Sequence, residues 1–468
     1  MTTSTRVNQT PGPRPHSASP TPSVGSQPRR GVPMPVVVGG AAVVGLLTSA
    51  ALAAAPVVPV TESALTGAVL CGFATGWTAL VGLSTWFTAQ PQRWAAVPAA
   101  VLGASGIALL ALGASAHPAV DWVWPLVVLG LAVWMTVHIR RDMGSRVGRW
   151  LLFPVIGAMG VAAVGGAYQT VGTAMDASPA MAGRLVDVGG HRLHLSCKGS
   201  GSPTVVVEPG GGAMGAHLGW VTSAVGRETT VCTYDRAGRG WSEAADGPQD
   251  ALAISRDLHT LLHRAGVPGP YVMAGHSFGG LYAMTFAASH PDEVAGLVLI
   301  DATSPVYGTD GAGSAGTMPA RSDDGVGRVA ALVSSMARLG LGRVYAIVNA
   351  SDLPAPEQAQ VRARYATPAA VRNVIEEYAR ASASTKEAAS LRDLGDTPLM
   401  VLTAEIGSDP DWPQKQDHLA TLSSDSVHRV VQGADHAGMV GDQAHAVTTG
   451  RAILEVVSAI RTGQPLTR

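Results

Sequence analysis

The sequence predicts an α/β fold with a mostly parallel sheet, preceded by about five transmembrane helices. Long apolar runs without charge dominate the first third of the chain, and short β-branched runs alternate with helical patterns in the remainder. A third observation is the segment Gly-His-Ser-Phe-Gly at 275–279, which lies between an apolar run and a helix-favouring run. Strand, sharp turn and helix in this order present a serine hydroxyl as a nucleophile.

The composition excludes several classes of protein. The chain has 468 residues and a formal net charge of -1, which gives no support for nucleic-acid binding. Its three cysteines are too few for a disulfide scaffold, and no CxxC pair or Cys/His cluster indicates zinc. With 14% charged residues, the chain is poor in charge for a purely soluble protein.

Residues 1–33 predict a disordered basic tail. This segment is rich in Ser, Thr, Pro and Gly, contains four arginines and has no acidic residue. With almost no large apolar side chain it cannot bury a core. A signal peptide would have its basic region near the start and a single short apolar core. Several hydrophobic segments follow this tail, so we expect a retained membrane anchor.

Residues 34–175 predict a membrane domain with five transmembrane helices. Five runs lack Asp, Glu, Lys and Arg, and each can supply the ~20 apolar residues that cross a bilayer. Frequent Gly and Ala suit helices that pack closely in lipid, and no ionisable side chain lies deep in a run to suggest an ion path. The runs are 31–61, 63–92, 94–120, 122–139 and 150–175.

Arginines in the short connections predict the orientation of these helices. The tail and the second and fourth connections contain arginine, whereas the first and third connections have neither arginine nor lysine. Because basic residues stay on the cytoplasmic side, we expect a cytoplasmic N-terminus in the cell membrane and an extracytoplasmic location for everything after Asp176. The connecting arginines are Arg93, Arg140, Arg141, Arg146 and Arg149.

The pattern from residue 182 to the end is that of an α/β domain. Arg184–Val188 and His191–Cys197 are short alternating runs joined by Gly189-Gly190, which predicts a β-hairpin. The β-branched runs at 204–208 and 229–234 are typical of central strands.

Five motifs in this region resemble the α/β-hydrolase superfamily, in the branch that includes proline-iminopeptidase-like, esterase and perhydrolase-like members. The resemblance covers the chain from about Arg184 to the end and implies a triad in the order Ser, acid, His. The first glycine loop has Pro209 where many members have His. The matching motifs are Glu-Pro-Gly-Gly-Gly at 208–212, Asp-Arg-x-Gly-x-Gly-x-Ser at 235–242, the turn at Ser277, the strand 297–301 and Ala-Asp-His at 434–436.

The resemblance assigns chemical roles to particular residues. Ser277 would attack an acyl carbon, and His436 would take the serine proton and return it to the leaving group. The backbone N–H groups of Phe278 and Gly211 would form the oxyanion hole. Asp235 and Arg236 would support the site without reacting, and His276 would pack beside the nucleophile.

The acid of the triad is expected just past the strand at 399–403. Asp409 is our choice there, with Asp411 and Glu405 as alternatives on the same segment. Asp301, at the end of the preceding strand, is the position that some family members use instead. Each of these carboxylates could also be a helix N-cap or a solvated loop residue.

Three further features concern a possible metal site, the substrate pocket and a disulfide. His259 and His263 have the i, i+4 spacing of metal ligands, but they lack a nearby acidic or cysteine partner and are interpreted as surface residues. Residues of about 304–395 interrupt the sheet pattern and predict a helical cap that shapes the substrate pocket. Cys197 and Cys232 lie on strands that are neighbours in the family and predict a disulfide, the alternative being two buried thiols.

These observations predict a membrane-anchored serine hydrolase that cleaves a small-molecule ester or amide without a metal or an organic cofactor. The domain at 182–468 would carry the chemistry, and the lipid bilayer would be its other partner. Two alternatives are a peptidase of the proline-iminopeptidase type and a non-catalytic membrane sensor or scaffold that uses the fold as a binding module. Substrate identity and oligomeric state are left open.

Overall fold

The computed structural model describes residues 1–3, 31–176, 179–305, 323–350, 352–407 and 409–466. The predicted disordered tail and the glycine-rich opening of the cap therefore lie largely outside the described residues. Five long helices come first, and each is long and apolar enough to cross a membrane, the third together with the turn Arg93–Ala95 before it. They are α1 (Met34–Ala54), α2 (Glu62–Phe87), α3 (Ala96–Leu112), α4 (His117–Asp142) and α5 (Arg146–Met175).

Glycine allows α1, α2 and α3 to pack closely. A Cβ on Gly76 of α2 would lie 2.8 Å from the Cα of Gly45 in α1, and a Cβ on Gly67 would lie 2.7 Å from the carbonyl oxygen of Gly106 in α3. Small residues at such contacts let helix backbones approach, which is how helices gain packing energy where no water is present to drive association.

A mostly parallel sheet follows, as the sequence predicts, and it has eight strands in the described part of the chain. The strand order is β1-β2-β4-β3-β5-β6-β7-β8. Strand β2 is antiparallel to both of its neighbours, β1 and β4, and all other pairings are parallel. The strands are β1 (Arg184–Asp187), β2 (Arg192–Lys198), β3 (Thr204–Glu208), β4 (Val231–Asp235), β5 (Tyr271–His276), β6 (Val294–Ile300), β7 (Leu399–Ile406) and β8 (Ser426–Asp435).

Helices cover both faces of this sheet, which is why its central strands are continuous apolar runs. Val206 packs into the core on one face, whereas Val205 and Val207 pack into the core on the other. The helices of the second part of the chain are α6 (Gly219–Val225), α7 (Ala251–Ala265), α8 (Phe278–Ser289), α9 (Asp323–Ser334), α10 (Leu341–Ala350), α11 (Ala355–Tyr365), α12 (Pro368–Ala379), α13 (Ala381–Ala388), α14 (Trp412–Ala420), α15 (Gly438–Gly441) and α16 (Gln443–Thr462).

A disulfide joins Cys197 to Cys232, as predicted from their strands. The two residues lie directly opposite each other in the antiparallel pairing of β2 with β4. Register, which the sequence alone does not give, therefore brings the two side chains together.

The predicted cap is formed by α9 to α13, between β6 and β7. Its described residues are largely helical, as the sequence predicts for this segment. The cap contacts the N-terminal helices as well as the sheet domain. Ala331 of α9, for example, packs in one apolar cluster with Ala53 and Leu65.

Ion pairs also connect the cap to the ends of the long helices. Arg338, in the turn Ser335–Leu339 after α9, binds both Glu62 at the start of α2 (2.6 Å) and Asp121 in α4 (2.7 Å). Arg343 of α10 binds Asp176 at the end of α5 at 2.7 Å. We call these contacts the helix–cap ion pairs.

Candidate active site

Ser277 stands on a sharp turn between β5 and α8, as its motif predicts. Its backbone has φ 55° and ψ -123°, a conformation that is strained for a residue with a side chain. The turn needs glycine on both sides, because a Cβ on Gly275 would collide with the carbonyl of Gly279 and one on Gly279 would collide with the carbonyl of Glu208. The sequence therefore holds the serine at the tip of a tight turn against the end of β3.

His436, at the end of β8, is paired with Asp301. Its Nδ1 lies 2.5 Å from Oδ2 of Asp301, so Nδ1 carries the proton and Nε2 is left to act as a base. Asp301 is buried, with 2% of its side chain exposed. Its backbone φ of 44° is positive, like that of Ser277, and these two are the non-glycine residues with positive φ in the described part of the chain.

Asp301 is held as a carboxylate by three donors. Its Oδ1 accepts hydrogen bonds from Nε1 of Trp412 at 2.7 Å and from the backbone N–H of Ala404 at 3.1 Å. Burial raises the pKa of Asp301, but the hydrogen bonds from His436, Trp412 and Ala404 outweigh it and leave the pKa below its ordinary value. A negative group fixed in this way suits an imidazole that must become charged.

The carboxylate paired with His436 is thus Asp301 and not Asp409, the residue chosen from the sequence. Asp409 is exposed, and its carbonyl accepts a hydrogen bond from the N–H of Trp412. Asp411 is exposed too, and Glu405 accepts from the N–H of Gly433 at 2.7 Å. The segment after β7 does reach the site, but it contributes the indole of Trp412 instead of an acid.

The glycine loop at 209–212 lies beside the serine. A Cβ on Gly211 would lie 3.1 Å from the ring of Phe278, the residue after Ser277. Arg236 donates to the carbonyl oxygens of Pro209 and Gly210, each at 2.7 Å. Because a trans peptide directs its N–H opposite to its C=O, this contact turns the Gly211 N–H away from Arg236 and leaves it available to a ligand.

Behind this loop lies a buried charge cluster that the sequence did not predict as a unit. Glu377 of α12 accepts hydrogen bonds from Arg236 (2.9 Å), Arg239 (2.5 Å), Tyr282 (2.8 Å) and the Gly212 N–H (2.9 Å). Burial raises the pKa of Glu377, but the two arginines outweigh it and the net pKa is lowered. Glu377 thus attaches the cap to the glycine loop through a fully bonded carboxylate.

Glu208 is the second carboxylate of this cluster. It is fully buried, accepts from the hydroxyl of Tyr234 at 2.9 Å and lies 3.8 Å from Arg236. Burial raises the pKa of Glu208 to about 7, more than Arg236 lowers it. We use the name buried charge cluster for Glu208, Arg236, Arg239, Tyr282 and Glu377.

His276 does more than the packing that the sequence suggested. Its Nε2 lies 2.8 Å from the carbonyl oxygen of His436 and must donate to it. Burial, followed by the nearby His436, lowers the pKa of His276 to about 4, so the ring is neutral near pH 7. His276 therefore fixes the backbone of His436 without competing for its proton.

Ser277 and His436 share a cavity of about 670 Å³. Ser277, His436 and Gly211 line it from the sheet side, and Tyr345 and Tyr378 line it from the cap. Of the catalytic and oxyanion positions expected from the sequence, the structure brings together all but Asp409. The sequence did not predict a role for Glu377, because a glutamate on a cap helix is expected to be a surface residue.

A mostly parallel sheet with a strained serine between strand and helix and a paired histidine and aspartate defines the class of α/β-fold hydrolases. Residues 205–449 match the alpha/beta hydrolase family. This match covers about half of the chain, and the protein belongs to that family.

Comparison with individual proteins gives partial alignments. The chain is 26% identical over 292 residues to an uncharacterised Schizosaccharomyces pombe protein, covering 54% of this chain and 51% of the other. It is 43% identical over 84 residues to lipase LipV of Mycobacterium tuberculosis, covering 18% of this chain and 30% of the other. These alignments span about half or less of the relatives' own lengths. An esterase structure from Thermogutta terrifontis is similar with a TM-score of 0.43 and 22% identity, covering 57% of this chain and 94% of that one.

Proposed function

We propose that this protein is a membrane-anchored serine hydrolase that cleaves an ester or amide through an acyl-enzyme intermediate. The observation that carries the proposal is the shared cavity of Ser277 and His436, with His436 held by the buried Asp301. The similarity to a mycobacterial protein named as a lipase favours an ester as the substrate.

The residues fit the steps of acyl transfer. Ser277 Oγ would attack the acyl carbon while its proton moves to Nε2 of His436, and Asp301 would stabilise the imidazolium that forms. The N–H groups of Phe278 and Gly211 would bind the oxyanion, helped by the N-terminus of α8. His436 would then protonate the leaving alkoxide or amine. A water molecule, deprotonated by His436, would release the acid and restore Ser277.

Labelling with a fluorophosphonate probe tests this proposal most directly. We expect the detergent-solubilised full chain to be labelled at Ser277, and the Ser277→Ala variant to remain unlabelled. The modified peptide, identified by mass spectrometry, assigns the label to its residue. A folded wild type that resists labelling would favour the binding-module alternative.

The identity of the acid is tested by a matched pair of variants. Asp301→Asn should lower kcat for an activated ester about 10⁴-fold, because the amide no longer holds His436 in the required tautomer. Asp409→Asn, on the exposed segment after β7, should leave kcat within about twofold of wild type. The opposite result for the two variants would assign the role of the acid to Asp409.

The peptidase alternative differs in the leaving group. An esterase should hydrolyse p-nitrophenyl acetate much faster than prolyl-p-nitroanilide, and a proline-iminopeptidase-type enzyme should show the reverse preference. Comparing kcat/KM for these two soluble substrates with the same preparation separates the two activities.

The proposed orientation places the N-terminus in the cytoplasm and the hydrolase domain outside. Arg338 of the cap binds Glu62 and Asp121, which belong to the two connections without arginine, and this supports a common side for the cap and those connections. The disulfide between Cys197 and Cys232 suits an oxidising compartment. Protease added to intact cells should cleave the hydrolase domain and spare an N-terminal epitope tag, and the reverse pattern would invert the orientation.

A further inference from the structure

The cap exposes apolar side chains on α9, the turn after it, and α10. These side chains are between 39 and 67% exposed. The two segments Gly325–Leu339 and Leu341–Ala350 are together apolar enough for a membrane segment, but they bend by 81° at the junction. We call this surface the apolar cap face, and it consists of Val329, Val333, Met336, Leu341, Val344 and Val348.

The apolar cap face contacts the long helices at a defined position along α5. Gly340 packs backbone to backbone against Gly165 of α5, where a Cβ would collide with the carbonyl of Leu339. Counting ~20 residues from Trp150, next to the basic connection, places the outer edge of the hydrocarbon near Thr170. Gly165 lies a few residues short of that edge, so the turn that packs against it, with Arg338, lies at the boundary between the hydrocarbon and the headgroups.

The same helix α10 forms part of the catalytic cavity. Tyr345, Val348 and Asn349 line that cavity opposite Ser277. Val348 is also 67% exposed, so it stands at the mouth where the cavity meets the apolar cap face. A path therefore runs from the outer surface of α10 to the nucleophile.

We infer that the apolar cap face is immersed in the outer leaflet of the bilayer and that the substrate, a long-chain acyl ester, enters the cavity from the lipid. This inference rests on the proposed hydrolase function and membrane anchoring. Exposed valine and leucine side chains on a helix docked against membrane-spanning helices are stabilised by lipid and not by water.

Quenching by spin-labelled lipid tests the immersion without using activity. An environment-sensitive fluorophore is attached to Val344→Cys, and as a control to Val430→Cys on β8, which is 49% exposed. Both variants also carry Cys71→Ser, and the Cys197–Cys232 bridge stays oxidised. In vesicles with doxyl-labelled phospholipid we expect strong quenching at position 344 and none at 430. Equal quenching at the two positions would overturn the inference.

Activity then tests the route of the substrate. Leu341→Glu should lower hydrolysis of a long-chain ester dissolved in vesicles about tenfold or more, because a carboxylate does not enter the leaflet. Hydrolysis of p-nitrophenyl acetate and labelling of Ser277 should stay within about twofold of wild type. Equal loss on both substrates, or no loss on either, would overturn the lipid route. Absence of labelling in the wild type would instead reject the hydrolase function itself.

A second, independent feature lies at the C-terminal end of α7. The Nε2 atoms of His259 and His263 lie 3.0 and 3.2 Å from the same Oε1 of Glu293. Glu293 belongs to the short turn Pro291–Glu293 and is 30 residues away in sequence from the nearer histidine, which is why the histidines seemed to lack an acidic partner.

The three side chains converge as ligands of a transition metal do. One ligand atom from each lies within 4.8 Å of the others, and no other such group is found among the described residues. Ligands at ~2.1 Å from a tetrahedral zinc are ~3.4 Å apart, close to the distances here. Oε2 of Glu293 is buried without a hydrogen-bond partner in the described structure, and His290 stacks on His259 at 4.1 Å and fixes its ring.

The geometry points to a zinc-binding site formed by His259, His263 and Glu293. With its side chains 27 to 57% exposed, the site leaves the remaining coordination positions to water. A bound ion would connect α7 to the turn that leads into β6. It would lie outside the cavity of Ser277, since none of the three residues lines it.

Zinc binding to the full chain, purified without a histidine tag, tests this assignment. We expect one zinc ion per chain by elemental analysis after dialysis. His263→Gln and Glu293→Gln should each weaken zinc affinity at least about tenfold, as loss of a ligand does. The control His418→Gln, an exposed helix histidine elsewhere, should bind like wild type. Fluorophosphonate labelling reports that each variant is folded. Equal zinc affinity in all four proteins would overturn the site.

Discussion

Two sets of arginine–carboxylate contacts hold the cap, and they differ in burial. In the buried charge cluster, Arg236 and Arg239 are 3% exposed and Glu377 is 7% exposed. In the helix–cap ion pairs, Arg338 is 23% exposed, and Asp121 is 30% exposed.

Burial changes what such contacts do. Removing one partner of a buried ion pair leaves an unpaired charge without water, whereas an exposed pair exchanges its partner for solvent at little cost. The buried charge cluster therefore sets the conformation of the glycine loop, and the helix–cap ion pairs set the position of the cap relative to the long helices.

The largest effect is expected for Glu377→Gln. It removes the charge that faces two arginines. Its amide nitrogen replaces one oxygen and so faces the donors of either Arg236 and Tyr282 or Arg239 and Gly212. We expect the free energy of unfolding to fall by about 3–5 kcal/mol. Because the glycine loop loses its support, kcat for a soluble ester should also fall, by about 10²-fold. Guanidinium unfolding of the solubilised chain and ester kinetics measure the two effects.

Glu376→Gln is the matched control for that variant. Glu376 is the half-buried neighbour of Glu377, with 40% of its side chain exposed, and it pairs with Arg372 of its own helix at 2.7 Å. Its loss should cost no more than about 0.5 kcal/mol. Similar losses in both variants would mean that burial does not distinguish the two carboxylates.

A smaller effect is expected from the titration of Glu208. The pKa of Glu208 is about 7 in the folded protein against an ordinary value of 4.5, so the native state keeps a proton that the unfolded chain has released between these values. Stability should therefore fall as pH rises through this window, by roughly 3 kcal/mol from this group.

Glu208→Gln isolates that contribution, because it removes the titrating group and keeps an acceptor for Tyr234. Melting temperatures recorded between pH 4.5 and 7 should decline less steeply in the variant than in wild type. Parallel profiles for the two proteins would show that Glu208 is already ionised at the acid end of the range.

The smallest effect is expected for Arg338→Ala. Loss of its partly exposed pairs should cost about 1 kcal/mol at low salt and less at high salt, because ions screen them. Hydrolysis of a soluble ester should stay within about twofold of wild type. Arg372→Ala, which removes a cap arginine that does not reach the long helices, is the control. If Arg338→Ala lowered kcat as much as Glu377→Gln does, the helix–cap ion pairs would support the active site as strongly as the buried charge cluster.

The sequence predicted the features that depend on local pattern. Gly189-Gly190 predicted the first hairpin, and the runs on either side of Ser277 predicted its sharp turn between strand and helix. Runs without charge predicted the five long helices. The disulfide also followed, although from the resemblance and not from register. These signals are local because each depends on residues within one turn or one element.

The features that the sequence did not predict depend on which side chains are buried together. Asp301 and Asp409 both follow strands, and only the fold shows that Asp301 is enclosed beneath Trp412 whereas Asp409 faces solvent. Glu377 and Glu293 likewise acquire partners from distant segments. Separation along the chain hides such contacts, because periodicity and turn chemistry report only on neighbouring residues.

The bridge from Arg338 to Glu62 and Asp121 also has a consequence for biogenesis. Arg338 follows Asp121 by 217 residues. At 5–20 residues per second, ribosomes synthesise it roughly 10–40 s after that acid. In the proposed topology, the long helices would be inserted before the cap is synthesised. A chain whose first connections were left on the wrong side of the membrane would offer Arg338 neither carboxylate, so docking of the cap would act as a late check on insertion.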